Sequence, residues 1–135
     1  MTWTQLAKVY GLTFLVFLAV DFLWLGVIAK QLYQRHLGHL FAESVNWAAA
    51  FLFYLIFVLG LMVFVIYPAF KNGALKQALW MGALFGLVTY ATFELTSMAL
   101  IKEWPAGIVL VDIGWGIVLG GIVSMAGYGI ARWLA

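Results

Sequence analysis

Polar residues are so sparse along this chain that the spaces between them define its elements. Apolar runs extend over about residues 9–29, 47–70, 78–101 and 106–131. Each reaches the ~20 residues that a helix needs to cross ~30 Å of hydrocarbon. None alternates apolar with polar positions, so the period of a membrane β-strand is missing. Lipid offers no hydrogen bonds to a bare backbone, and runs this long and apolar are therefore predicted to be helices. Three of them are interrupted by a single carboxylate: Asp21 in the first, Glu94 in the third and Asp112 in the fourth. The second carries no charge at all.

The first run follows Lys8, as the apolar part of a signal peptide would follow a basic start. It is too long for one, and no small-residue cleavage site follows, so a retained helix is expected. The linker after it, residues 30–46, has its own pattern. Leu32, Tyr33, Leu37, Leu40 and Phe41 recur at helical spacing, with Gln34, Arg35, His39 and Glu43 on the other side. This fits a short helix lying in the membrane interface, between helices 1 and 2. A polar loop is the alternative. Trp47, Tyr67, Trp80, Trp104 and Trp133 fall near the expected ends of spans, where indoles and phenols sit among headgroups. Pro68 and Asn72-Gly73 are read as the exit from the second span, and Trp104-Pro105-Ala106-Gly107 as a tight turn into the fourth.

Composition strengthens this picture. Hydrophobic residues make up 67% and charged residues 9% of the 135, with mean hydropathy +1.09. Seven Lys and Arg with five Asp and Glu cannot coat a soluble domain. The same numbers exclude disorder. The absence of cysteine removes disulfides, thiolate metal sites and Cys nucleophiles. A scattered net charge of +2 offers no footprint for nucleic acid. The expectation is an all-α, polytopic integral membrane protein: one domain, residues 1–135, a four-helix bundle with the lipid bilayer as its first partner. An even number of spans puts both termini on one side. That side holds Lys8, Lys71, Lys76 and Arg132, against Lys30, Arg35 and Lys102 opposite, a split that points to cytoplasmic termini.

The three intramembrane acids carry the chemical interest. A carboxylate at mid-membrane costs about 2.5–3.5 kcal/mol even on the mild insertion scale. Counting from Lys30, Lys102 and Pro105 places Asp21, Glu94 and Asp112 roughly 10–14 Å inside the same boundary. All three should face the bundle interior, in one leaflet, as one cluster. No Lys or Arg lies within a span, so the acids are protonated or are neutralised by something else: Arg35 or His36 dipping in, water, a cation or a cationic ligand group. Trp24 and Trp115 follow Asp21 and Asp112 at i+3, on the same helix faces. Tyr90, Glu94 and Ser97 share a face of the third span, and Thr89, Thr92 and Thr96 add hydroxyls. Two readings stand: a ligand site formed by Asp21, Trp24, Tyr90, Glu94, Ser97, Asp112 and Trp115, or a hydrogen-bonded network that fixes helix register. In the first, the linker residues Tyr33, Arg35, His36 and His39 would form an interfacial lid.

His36 and His39 lack a third ligand, so no metal is expected. No cofactor motif and no catalytic motif occurs, which leaves the existence of an enzymatic activity open. Gly82 with Gly86 and Gly116 with Gly120 have the spacing that lets two membrane helices approach closely.

Asp21-Phe22-Leu23-Trp24-Leu25-Gly26, Tyr33-Gln34-Arg35-His36-Leu37-Gly38-His39-Leu40 and the stretch Thr89-Tyr90-Ala91-Thr92-Phe93-Glu94-Leu95-Thr96-Ser97 together resemble a known pattern, as do Lys102-Glu103-Trp104-Pro105 and Val111-Asp112-Ile113-Gly114-Trp115-Gly116. They are similar to the small bacterial membrane proteins grouped as domain of unknown function family 2177, across essentially the whole chain. The family's third helix usually reads Tyr-Asp-Leu-Thr-Asn where this chain has Phe93-Glu94-Leu95-Thr96-Ser97. The acid is one methylene longer here, and a phenol and an amide are lost. The resemblance implies a four-helix bacterial inner-membrane protein of unassigned activity, often in the gene company of membrane-lipid modification. Three functions compete at this level. One is binding of a small ligand or lipid headgroup, as an accessory to lipid modification. Another is a proton- or cation-coupled small transporter working as a homodimer. The last is a structural subunit of a membrane complex. The one-sided placement of the acids argues against a transporter, whose site would sit near the midplane.

Overall fold

A computed structural model describes residues 1–40 and 46–135. The sequence expectations for Phe41 and Glu43 lie outside the described residues. Four long apolar helices form the bundle: α1 (Trp3–Ile28), α3 (Trp47–Asn72), α4 (Leu75–Leu100) and α5 (Ala106–Leu134). A short helix, α2 (Lys30–Leu37), follows α1 and runs into a single 3-10 turn, Gly38–Leu40. No strand occurs among the described residues. The fold is an all-α bundle of four membrane-length helices. Its outer surface is apolar, with Leu100 80%, Leu110 76% and Val27 73% exposed, as lipid permits and water does not.

The helix ends follow from local chemistry. Thr2 opens α1 with a capping box: its hydroxyl accepts from the Gln5 amide, and the Gln5 side chain accepts from the Thr2 amide. The helix therefore begins well before the apolar run does. The Gln5 amide group also donates to the Leu134 carbonyl at 3.1 Å, tying the two termini together at one end of the bundle. Pro68 does not end α3. Its ring cannot tolerate the carbonyl one turn back. The helix widens to π geometry over Met62–Ile66, the Tyr67 amide donates to Met62 five residues back, and the helix then continues to Asn72. Gly73, at φ 63°, makes the left-handed cap that stops it.

A second π turn, Trp24–Ile28, closes α1, with the Ala29 amide donating to the Trp24 carbonyl at 2.7 Å. Ala29 then leaves helical geometry (φ −110°, ψ 4°) and α2 starts in a new direction. The helix predicted in the linker is thus present, and the break at Ala29 allows it to turn back over the bundle.

The helices α4 and α5 pack along a seam of glycines. A Cβ on Gly86 would meet the Gly116 carbonyl, and one on Gly120 would meet the Gly82 carbonyl. On its other side α5 packs against α1, and α1 against the first part of α3. The apolar core lies among these helices, with Phe17, Val58, Leu61, Ile66, Leu119 and Val123 fully buried. By contrast, α3 reaches α4 mainly through its π turn, Met62–Ile66. Its first half stands apart from α4, bridged by Phe57, whose ring lies 5.4 Å from Phe85 and 6.2 Å from Tyr90.

Candidate functional site

A cavity of about 600 Å³ fills the space left by that separation, at the end of the bundle away from the termini. Asp21, Glu94 and Asp112 all line it, from α1, α4 and α5. Asp21 is 5% and Glu94 1% exposed. Most of the remaining wall is aromatic or aliphatic, and among the described residues no Lys, Arg or His contributes to it.

Each carboxylate receives a hydrogen bond from an aromatic side chain on a different segment. The Trp115 indole of α5 donates to Asp21 of α1 at 3.4 Å, a weak bond at the edge of normal length. The Trp104 indole, in the α4–α5 turn, donates to Glu94 at 2.8 Å. The Tyr33 hydroxyl of α2 donates to Asp112 and accepts from the Trp24 indole at 3.0 Å. Burial, followed by this bond to Asp112, pushes the Tyr33 phenol above its ordinary value, so it remains a donor at neutral pH. Trp24 and Trp115 stack face to face, 4.4 Å apart and 5° from parallel. The i+3 spacing read in the sequence thus brings the two indoles against each other, joining α1 to α5. One oxygen of Asp21 accepts no hydrogen bond from the described residues, whereas the Glu94 carboxyl lies within hydrogen-bonding reach of that of Asp112.

Of the residues singled out in the sequence, Tyr33, Tyr90 and Trp115 line the cavity along with the acids. Trp24 stands behind Tyr33 and Trp115. Ser97 is buried but does not line the cavity, and of the threonines Thr89 does. Arg35 and His39 are exposed and point no group into it. His36 donates from Nδ1 to the Leu32 carbonyl at 2.9 Å, and its Nε2 lies toward Gly107 at the start of α5. Of α2, only Tyr33 and Leu37 reach the cavity.

Sequence reasoning missed two kinds of residue. Trp104 has the sequence position of an interfacial anchor, yet its indole holds Glu94. Its place at i+10 gave no helical signal, because the connection runs through the turn. Tyr54 and Phe53, on uncharged α3, complete the wall. Without a charge nearby, nothing in that helix marked them. Among the described residues no three His, Cys, Asp or Glu are grouped as metal ligands would be.

The model of a family described as predicted membrane protein (DUF2177) matches residues 6–129. The chain belongs to this DUF2177 family. The match spans α1 through most of α5, so all three acids and all their aromatic partners lie within the family region. No curated protein and no solved structure matches the chain.

Proposed function

We propose that this DUF2177 protein is a membrane-embedded binding protein that takes a small ligand or lipid headgroup between Asp21, Glu94 and Asp112. One observation carries the reading: three acids from three helices line one mostly apolar cavity, with no cationic side chain in its wall among the described residues. Apolar pockets with a few convergent polar groups are the usual form of a small-molecule site. The acids can only accept or, when protonated, donate through one O–H each. A ligand rich in hydrogen-bond donors would complete them. Such a site suits an accessory to membrane-lipid modification. The membrane in this reading is the bacterial inner membrane, with cytoplasmic termini and the cavity in the far leaflet. Cysteine labelling at Asn72 and Lys102 in this Cys-free chain tests that orientation: label from the cytoplasm should reach the first and not the second.

The hydrogen bonds themselves favour a second reading. Every acid links two segments, Asp21 to α5, Glu94 to the α4–α5 turn and Asp112 to α2. A network of that form can serve helix register alone. Glu94→Gln separates the two readings, since an amide oxygen can still accept from Trp104. As a charged or proton-donating anchor, Glu94 cannot be replaced by Gln without loss of the ligand that co-purifies in mild detergent, read by native mass spectrometry. Retention of the same ligand with unchanged affinity would favour the structural role.

A further inference from the structure

We propose that the ligand is a long-chain amine without a phosphate, its ammonium seated among Asp21, Glu94 and Asp112 and its chain leaving between α3 and α4. The inference rests on the binding reading above and gives that ligand a chemical class and a route.

Among the described residues, a phosphate in this cavity would meet carboxylates and no cation. Like charges brought together in a low-dielectric site are strongly disfavoured. An ammonium reverses the sign of every such contact. It carries three donors, and the carboxyls of the buried residues Asp21 and Glu94 line the cavity, Asp21 with one oxygen that accepts no hydrogen bond from the described residues. The aromatic rings of Tyr90 and Trp115 in the same wall also suit a cation. The donors already present are neutral indoles and a phenol, which position the carboxyl groups and bring no positive charge.

The route follows from exposure. Phe53 of α3 and Phe93 of α4 both line the cavity, yet they are 47% and 58% exposed at the outer surface. Ala49, a turn before Phe53, is exposed as well and also lines it. The cavity therefore opens sideways, between the first half of α3 and the second half of α4, at a level where the surroundings are acyl chains. Further along the same pair of helices lies a second, wholly apolar cavity of about 190 Å³, lined by Phe64 and Val65 of α3 and by Met81, Leu84, Phe85 and Val88 of α4. From Phe93 to Leu84 is roughly 13 Å along the helix. A single alkyl chain leaving the mouth can lie along this seam and occupy the second cavity.

The test uses the full chain in phosphatidylcholine nanodiscs, with hexadecylamine as probe and native mass spectrometry as readout. Hexadecanol lacks the charge, butylamine lacks the chain, and phosphatidylethanolamine carries a phosphate beside its amine. Hexadecylamine should be retained one to one, and the three comparators about tenfold less well or worse. Glu94→Gln should weaken hexadecylamine by about tenfold, with Asp112→Asn as the substitute should that variant fail to fold. Ala49→Trp, at the mouth, and Leu84→Trp, in the seam, should weaken it with the melting temperature unchanged. Hexadecanol binding as well as the amine would overturn the ammonium, and equal retention of phosphatidylethanolamine would overturn the exclusion of phosphate. Silence of both tryptophan variants would overturn the route. Glu94-dependent retention of some other lipid, with no binding of hexadecylamine, would sink this inference and leave the binding site standing. Loss of Glu94 dependence for every retained species would sink both.

Discussion

The α4–α5 seam and the α3–α4 mouth share one helix and have opposite character. On the α5 side of α4, Gly82 and Gly86 face Gly120 and Gly116, and backbone meets backbone. On the α3 side, Phe57 and Phe85 meet through their rings, and the Tyr90 ring lies between Phe57 and Gly116 of α5. In a bilayer neither arrangement is driven by exclusion of water, because lipid is as apolar as the side chains it replaces. Side-chain size then decides the separation. Small residues allow close approach and dense van der Waals contact, and large ones leave a space. The contrast shows how a chain this short can be rigid along one face of a helix and open along the other.

The seam should break hardest. Gly86→Val would drive a branched Cβ into the Gly116 carbonyl, and backbone cannot yield as a flexible side chain can. A loss of about 3 kcal/mol is expected, measured by unfolding in detergent or by the yield of folded protein. Behaviour indistinguishable from the parent would mean that α4 and α5 do not meet as described. Glu94→Leu acts at the open side. It strips the Trp104 indole of its acceptor, and a loss of roughly 0.5–2 kcal/mol is expected in the same assay.

Tyr33→Phe acts on α2, at the open side of the bundle. It deletes the donor to Asp112 and the acceptor of Trp24 and keeps the ring. A loss of about 1 kcal/mol should appear, together with faster hydrogen exchange in α2 and none in the seam. Exchange that rises equally in both would show that the two regions are one cooperative unit. The smallest effect is expected at Gly114. A Cβ there meets nothing within 4 Å, so Gly114→Ala should leave packing untouched and raise stability by up to about 0.5 kcal/mol. Destabilisation would place an unseen neighbour against that face.

Much of this architecture is legible in the chain itself. The four membrane helices follow from the length of the apolar runs, because lipid leaves the backbone no partner but itself. The pairing of Gly82 and Gly86 with Gly116 and Gly120 follows from their spacing, which places each pair on one helix face. Other features escape such rules. Pro68 reads, with Asn72-Gly73, as part of the exit from the second span, yet α3 runs through Pro68 to Asn72 and Gly73, because the π turn at Met62–Ile66 relieves the clash. Arg35 and His36 read as groups that could dip toward the acids. The break at Ala29 sets the pitch of α2 so that Tyr33 and Leu37 reach the cavity instead.

The order of residues alone places this protein in lipid, gives the number of membrane-length helices, and marks which three carboxylates are costly enough there to need partners. Depth along a helix is linear in residue number, so the common level of Asp21, Glu94 and Asp112 could be counted. Tertiary structure decided what surrounds them: Trp104 holding Glu94, Trp115 holding Asp21, and uncharged α3 standing off to leave the cavity and its mouth. Those outcomes depend on the rotation of each helix about its axis and on the distance to its neighbour. Both are set by side chains on other segments meeting across the bundle, and no local pattern within one run records them.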